Sequence, residues 1–252
     1  MQLSPGKNVY FLSDFHLGAP DHASSLAREK RIVKFLDVIK KDASVIFIVG
    51  DLFDFWYEYK TVVPKGFVRI LGKLAELTDS GISVIFFVGN HDMWMKGYFE
   101  HELNIRVFHQ PETFEFNEKK FLVGHGDGLG PGDHKYKMLK KIFRHRFSRW
   151  LFGIWHPRVG IGMAHYFSRK SRAATGINDE KFLGEEKEWL IIYSKEREKK
   201  EHFDYFIFGH RHLPIDFRIS PQSRYLNLGD WITYFTYAIF DGSELELKYH
   251  TE

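Results

Sequence analysis

Five times in this 252-residue chain, an apolar run stops and delivers a small cluster of polar side chains. Val9–Leu12 leads into Ser13-Asp14-Phe15-His16-Leu17-Gly18. Val45–Val49 leads into Gly50-Asp51-Leu52-Phe53-Asp54-Phe55-Trp56. Val84–Val88 runs into Gly89-Asn90-His91-Asp92, Phe121–Val123 into Gly124-His125-Gly126-Asp127-Gly128, and Tyr205–Phe208 into Gly209-His210-Arg211-His212. Short apolar runs bounded by turn residues read as strands buried on both faces. In open α/β sheets, ligands bind beyond the carboxyl ends of such strands. Any one of these tips alone is an ordinary turn, since Gly, Asp and Asn favour turns for conformational reasons. Five tips that all carry carboxylate, imidazole or amide oxygen are not explained that way.

Helical periodicity fills the intervals. Ser24–Lys41 places Leu26, Ile32, Val33, Phe35, Leu36 and Ile39 at helical spacing, and Phe67–Asp79 does the same with Phe67, Ile70, Leu71, Leu74 and Leu77. Glu180–Glu201 is the third such stretch. Further short strands are expected at Val107–Phe108, Thr113–Phe116, Arg224–Leu228, Tyr237–Phe240 and Leu245–Tyr249. The class is therefore α/β, with residues 1–252 as a single domain.

The donor set decides the chemistry. The chain has 14 histidines and no cysteine, which excludes disulfides, thiolate metal sites and a cysteine nucleophile. In extended backbone, Asp14 and His16 point the same way, as do His210 and His212, so each pair can chelate. Carboxylate, imidazole and amide oxygen together suit manganese, iron or zinc better than calcium or magnesium. The seven candidates (Asp14, His16, Asp51, Asn90, His125, His210 and His212) exceed what one ion takes from a protein. Two divalent ions sharing a carboxylate would use them all, and two-metal sites typically drive displacement at phosphorus.

The net charge of +3 is unevenly spread. Residues 134–178 hold no acidic residue and eleven Lys and Arg, so this segment carries +11 and the rest of the chain −8. The same region holds Phe143, Phe147, Trp150, Leu151 and Ile154 at helical spacing, with Pro157 expected to break the helix. Three readings fit: an interfacial helix at an anionic membrane surface, a core helix with a solvated basic face, or a nucleic-acid groove in which aromatics stack on bases. The N-terminus lacks the apolar core of a signal peptide, and no apolar run reaches membrane-spanning length. A cytoplasmic location is the expectation.

The ordered motifs Asp-x-His, Gly-Asp-x-x-Asp, Gly-Asn-His-Asp, Gly-His-Gly-Asp and Gly-His-x-His resemble those of the calcineurin-like metallophosphoesterases over residues 9–230. The resemblance implies a four-layer αββα sandwich of two mixed β-sheets. It implies two metals, manganese first and iron or zinc as alternatives. One would sit on Asp14, His16, Asp51 and His212, the other on Asp51, Asn90, His125 and His210. A hydroxide held between them would attack phosphorus, making Asp51 and His91 catalytic. His91 would contact the phosphate, oriented by Asp54 or by Asp92. Within the family, Ser13–Gly18, Gly50–Trp56 and the basic aromatic segment at 130–178 look like the branch that cleaves UDP-2,3-diacylglucosamine to UMP and 2,3-diacylglucosamine 1-phosphate in lipid A synthesis. In that branch the insertion is a helical lid over the acyl chains. The likeness implies an anionic glycolipid-nucleotide substrate bound by Asn90, His91, Asp133, Tyr136, Arg169 and Lys170, with no protein partner. The lid would meet the inner membrane peripherally. One departure stands out: this chain has Gly-Asn-His-Asp where better-known members of the branch have Gly-Asn-Arg-Asp. A phosphodiesterase of the same fold acting on nucleotides or nucleic acid is the alternative.

Overall fold

The computed structural model describes residues 1–132, 134–164, 166–168 and 181–251. Two mixed sheets stack face to face, with helices outside. The first sheet holds β1 (Asn8–Leu12), β2 (Ala43–Val49), β3 (Ser83–Phe87), β4 (Arg106–Phe108), β10 (Thr236–Phe240) and β11 (Leu245–Tyr249), in the order β11-β10-β1-β2-β3-β4. The second holds β5 (Glu112–Phe116), β6 (Lys119–Gly124), β7 (Tyr205–Phe208), β8 (Pro214–Ser220) and β9 (Ser223–Leu228), in the order β5-β6-β7-β9-β8. β1 to β4 run parallel, as do β6, β7 and β9; antiparallel strands finish the edges.

Strand alternation builds three cores from these sheets. Val9, Phe11, Val45, Phe47, Val49, Ile85 and Phe87 face Phe121, Val123, Ile207 and Leu226 between the sheets. The opposite face of the first sheet, with Leu12, Ile46, Ile48 and Phe86, buries α1 (His22–Ile39) through Ile32, Phe35 and Leu36, and α2 (Val68–Asp79) through Ile70, Leu74 and Leu77. The outer face of the second sheet, with Leu122, Phe206, Phe208 and Tyr225, takes Leu190 and Ile191 of α7 (Trp189–Glu198). That order of layers is the expected αββα sandwich.

The differences from expectation are local. α1 starts two residues before Ser24 because the Asp21 carboxylate caps it, accepting from Ser24 N at 2.9 Å. The helix expected over Glu180–Glu201 begins only at Trp189, and Glu180 itself lies outside the described residues. Gly184 has φ +89°, and residues 184–188 close a separate turn in which Lys187 N and Glu188 N donate to the Gly184 carbonyl. Glu188 then takes extended backbone, its carboxylate held by Leu183 N and Arg211, so the helix starts afresh at Trp189. Phe182 and Leu183 are accordingly exposed rather than core. Two elements come as additions: α3 (Tyr98–Leu103) is under two turns long, and β8 opens on Pro214 at a sheet edge, where the missing N–H costs no ladder bond.

The basic segment contains α4 (His134–Arg144), α5 (Arg146–Ile154) and α6 (residues 157–164) rather than one helix broken at Pro157. His145 adopts extended backbone and caps α5, its Nδ1 accepting from Phe147 N at 3.2 Å. Pro157 starts α6, where a missing N–H is harmless, instead of only ending a helix. Phe143, Phe147, Trp150, Leu151 and Ile154 are all exposed, which removes the reading of a buried core helix.

Candidate metal centre

The parallel strands of both sheets end on the same side, and their tips converge. β1, β2 and β3 bring Asp14, His16, Asp51, Asn90 and His91 from one sheet; β6 and β7 bring His125, His210 and His212 from the other. Asp14, His16 and Asp51 are buried; Asn90, His91, His210 and His212 are half-buried, and His125 is buried at the base.

The donor atoms fall into two overlapping groups. In the first, His212 Nε2 lies 3.1 Å from His16 Nε2 and 3.2 Å from Asp14 Oδ1, and His16 Nε2 lies 3.6 Å from Asp14 Oδ1. In the second, His125 Nε2 lies 3.3 Å from Asp51 Oδ2 and 3.1 Å from Asn90 Oδ1, with His210 completing the set. Asp51 Oδ2 is also 3.7 Å from His16 Nε2, so this one carboxylate borders both groups. Donors about 2.1 Å from a shared ion sit roughly 3 to 3.4 Å from one another; four of these six separations fall in that range, and the two from His16 to the carboxylates are 3.6 and 3.7 Å. Asp14 Oδ1 is buried without a hydrogen bond from any of the described residues. Buried carboxylate oxygens rarely go unpartnered, and here the vacant lone pairs face two imidazole nitrogens. The site therefore fits divalent metal, with all donors nitrogen or oxygen.

The chain supports this grouping from behind. His125 Nδ1 donates to the Val49 carbonyl at 2.8 Å, which leaves Nε2 for the centre. Asp230 Oδ2 lies 3.4 Å from His212 Nδ1, while its Oδ1 accepts from the backbone of Ile232, Thr233 and Tyr234. Ser13 Oγ donates to Asp14 Oδ2 at 2.5 Å. The buried Arg28 of α1 donates to the carbonyls of Phe15, His16 and Ala19, fixing the loop that carries the first pair. Asp92 accepts from Gly89 N and Leu52 N, so it ties the second and third tips together. Asp54 is the residue beside His91: its carbonyl accepts from His91 Nδ1 at 2.9 Å, and its Oδ1 lies 3.6 Å away.

Presentation of the candidate ligands differs from the extended-chain expectation. Asp14, His16, Asp51, His210 and His212 all have φ between +44° and +67°. Non-glycine residues held in that region are strained, and such strain gathers at functional sites. Glycine cannot replace them because the side chains are needed. Glycine is instead placed where a neighbouring ligand crosses the chain. A Cβ on Gly89 would overlap the Asp51 carboxylate, and one on Gly209 would overlap Ser13 Oγ and Asp14 Oδ2.

Electrostatics follow the packing. In the metal-free chain burial disfavours every charge, yet the histidines hold Asp14 and Asp51 below the usual carboxylate range. Against the same burial, Asp51 pushes His125 up to about 10, and Asp14 and Asp230 raise His212 well above an ordinary imidazole. Burial, reinforced by His125, lowers His210 to about 4, and burial likewise lowers His91 to about 4. Asp92 is raised to about 7 by burial and by Asp51.

Of the expected substrate contacts, Asp133, Arg169 and Lys170 lie outside the described residues. Tyr136 donates to Asp127 Oδ2 at 2.8 Å, and Lys140 pairs with the same oxygen at 2.6 Å, so α4 closes on the His125 tip. Ser168, Asp230, Arg28 and Asp127 were not singled out as functional by their sequence context. Only Asp127 and Asp230, each flanked by a glycine after a strand, carried a local signal.

The chain belongs to the calcineurin-like phosphoesterase family, whose sequence model matches residues 7–214. It is a metal-dependent phosphoester or anhydride hydrolase of that family. It is 40% identical over 254 aligned positions to a UDP-2,3-diacylglucosamine hydrolase of Porphyromonas gingivalis, covering 95% of this chain and 96% of that one. A UDP-2,3-diacylglucosamine hydrolase of Vibrio vulnificus is 28% identical, with 88% of each chain covered. Among solved structures, the phosphoesterase Yfce of E. coli matches with a TM-score of 0.46 at 15% identity, covering 94% of this chain and 90% of that one.

Proposed function

We propose that this protein hydrolyses the pyrophosphate of UDP-2,3-diacylglucosamine, releasing UMP and 2,3-diacylglucosamine 1-phosphate. The observation that carries the reading is the extent of its likeness to the Porphyromonas gingivalis hydrolase. An alignment covering 95% of this chain takes in most of residues 130–178, so the similarity is not confined to the metal motifs.

Asp14, His16, Asp51 and His212 would hold one divalent ion, and Asp51, Asn90, His125 and His210 the other, with manganese first and iron or zinc as alternatives. When bound, such a pair activates water and neutralises charge developing on phosphoryl oxygens. Asp51 sets the spacing between the two groups. His91, its Nδ1 anchored on the Asp54 carbonyl, turns its other nitrogen toward the phosphate; burial lowers this imidazole to about 4 in the chain alone, so it would stabilise charge there or give a proton to the departing oxygen once the anionic phosphate beside it raises it again.

The segment at 130–178 acts in this reading as a lid. α4 and α5 rest on the loops that carry Asp54 and His91: from α5, Phe152 packs on Phe55 and Trp94, and the Arg149 carbonyl accepts from Tyr57 OH at 2.7 Å; at the end of α4, the Phe143 carbonyl accepts from Trp94 Nε1 at 2.8 Å. Acyl chains would lie under these helices, with Asp133 and Tyr136 at the sugar and Arg169 and Lys170 near phosphate. No helix among the described residues is long and apolar enough to cross a membrane. The exposed Phe147, Trp150, Leu151 and Ile154 among basic residues suit peripheral contact with an anionic membrane surface, the inner membrane of a cytoplasmic enzyme.

The test is turnover of synthetic UDP-2,3-diacylglucosamine by manganese-loaded protein, with UMP resolved by chromatography. Release of UMP and the sugar 1-phosphate is expected. Cleavage of bis-(p-nitrophenyl) phosphate or RNA with no turnover of the lipid nucleotide would replace this reading with a nucleotide or nucleic-acid phosphodiesterase.

A further inference from the structure

A cavity of about 720 Å³ lies between α5 and the segments 57–60 and 95–109, and none of the seven candidate metal ligands lines it. Its walls carry four cationic side chains, Lys60, Lys96, Arg146 and Arg149, against a single carboxylate, Glu100. Arg146, Arg149, Trp150, Gly153 and Ile154 recur at three- and four-residue spacing, so one face of α5 lines the cavity. That face is graded: two guanidinium groups at its start, an indole midway, an aliphatic side chain at its end. No carboxylate among the described residues pairs with Arg146 or Arg149. Among the described residues, Lys96 Nζ meets neutral partners, the Glu58 carbonyl at 3.1 Å, Tyr57 OH at 3.3 Å and the Tyr57 ring.

Cations from three separate segments that share one cavity, with no carboxylate among the described residues paired to them, are what a phosphate-bearing ligand needs. Guanidinium forks match phosphate oxygens, and lysines supply point charge. We propose that this cavity is a second anion site, separate from the metal centre, which binds a phosphodiester headgroup with the lipid's apolar part running past Trp150 toward Ile154. The site does not depend on which phosphoester the metal centre cleaves. Inorganic phosphate shares the headgroup chemistry, so it is the second source to be distinguished.

The experiment is calorimetric titration of metal-loaded, full-length protein with monomeric dihexanoylphosphatidylglycerol and, separately, with inorganic phosphate. Both are repeated on Arg146→Gln/Arg149→Gln, on Lys60→Gln/Lys96→Gln, and on Lys141→Gln/Arg158→Gln. The last pair removes the same charge from exposed positions outside the cavity. Thermal midpoints confirm that each variant is folded. The expected result is at least tenfold weaker lipid binding in both cavity pairs and less than twofold in the control pair. Competition by millimolar phosphate in the wild-type protein identifies free phosphate as a shared occupant; its absence assigns the site to the lipid. Equal weakening in cavity and control pairs, or no lipid binding by the wild-type protein, overturns the proposal.

Discussion

The hydroxyl of Ser168 donates to Asp54 Oδ1 at 2.8 Å, joining residues 114 positions apart. Ser168 Oγ also lies 3.3 Å from His91 Nδ1. The far end of the basic segment thus touches the residue that orients the histidine at the centre, through a bond that is buried.

Ser168→Ala removes a hydrogen bond to a carboxylate, worth about 1.5–3 kcal/mol where such bonds are fully formed. With His91 less well held, turnover is expected to fall roughly tenfold, with KM changed much less and the acidic limb of the pH–rate profile displaced. Ser168→Thr, which keeps the hydroxyl, should recover most of the rate. Unchanged kinetics in the alanine variant would show that the contact does not reach the chemistry.

Asp51 borders both donor groups, whereas His16 Nε2 stands against Asp14 and His212. Elemental analysis after dialysis should therefore find both metals depleted in Asp51→Ala. His16→Ala should retain close to one metal per chain. Equal stoichiometry in the two variants would remove the bridging assignment.

Gly89→Ala tests the close approach by steric means alone, since Gly89 is not in the left-handed region. The added methyl must displace the Asp51 carboxylate. We expect a folded protein that loses more than about a hundredfold in activity, because misplacing a ligand by an ångström costs on that order. Gly72, on an open helix face, is the control: Gly72→Ala meets nothing within 4 Å and should leave activity unchanged.

Metal loading must expel protons. His125, raised to about 10 by Asp51 against the pull of burial, carries a proton at pH 8 in the metal-free chain, and Asp14 shifts His212 upward in the same direction. A metal takes the lone pair that the proton occupied, so at least about one proton should leave on full loading, from His125. The sign is that affinity weakens as pH falls from 8 to 6. Calorimetry in two buffers of different ionisation enthalpy measures the count, and His125→Asn should lower it by about one.

Much of this was legible in the residues because strands end where their apolar run ends, and ligand types at five ends cannot all be accidents of turn chemistry. Asp14 through His212 were visible individually, and so was the class of the fold. What stayed hidden depends on chain segments far apart in sequence meeting in space. Arg28 reads as a solvated helix residue until its three carbonyl partners are known. Ser168 is one serine in a basic run. The choice between Asp54 and Asp92 as the neighbour of His91 needed geometry, because both carry the same charge near the same histidine. The left-handed backbone of five candidate ligands was also out of reach: Asp and His enter that region more readily than most residues, but the sequence does not say which of them do.

The two donor groups draw on both sheets: Asp14, His16, Asp51 and Asn90 from one, His125, His210 and His212 from the other. Ions at their junction would act as a clasp across the sandwich, fastening one rim of two layers otherwise held by apolar side chains. Strained ligand backbones and crowded buried carboxylates load that rim with unfavourable energy when the clasp is open. A chelator should then behave as a mechanical agent as well as an inhibitor, loosening the strand tips first. Hydrogen exchange should report that as lost protection at residues 13–17, 50–54 and 209–212, while the inter-sheet core around Phe47 and Phe121 stays closed.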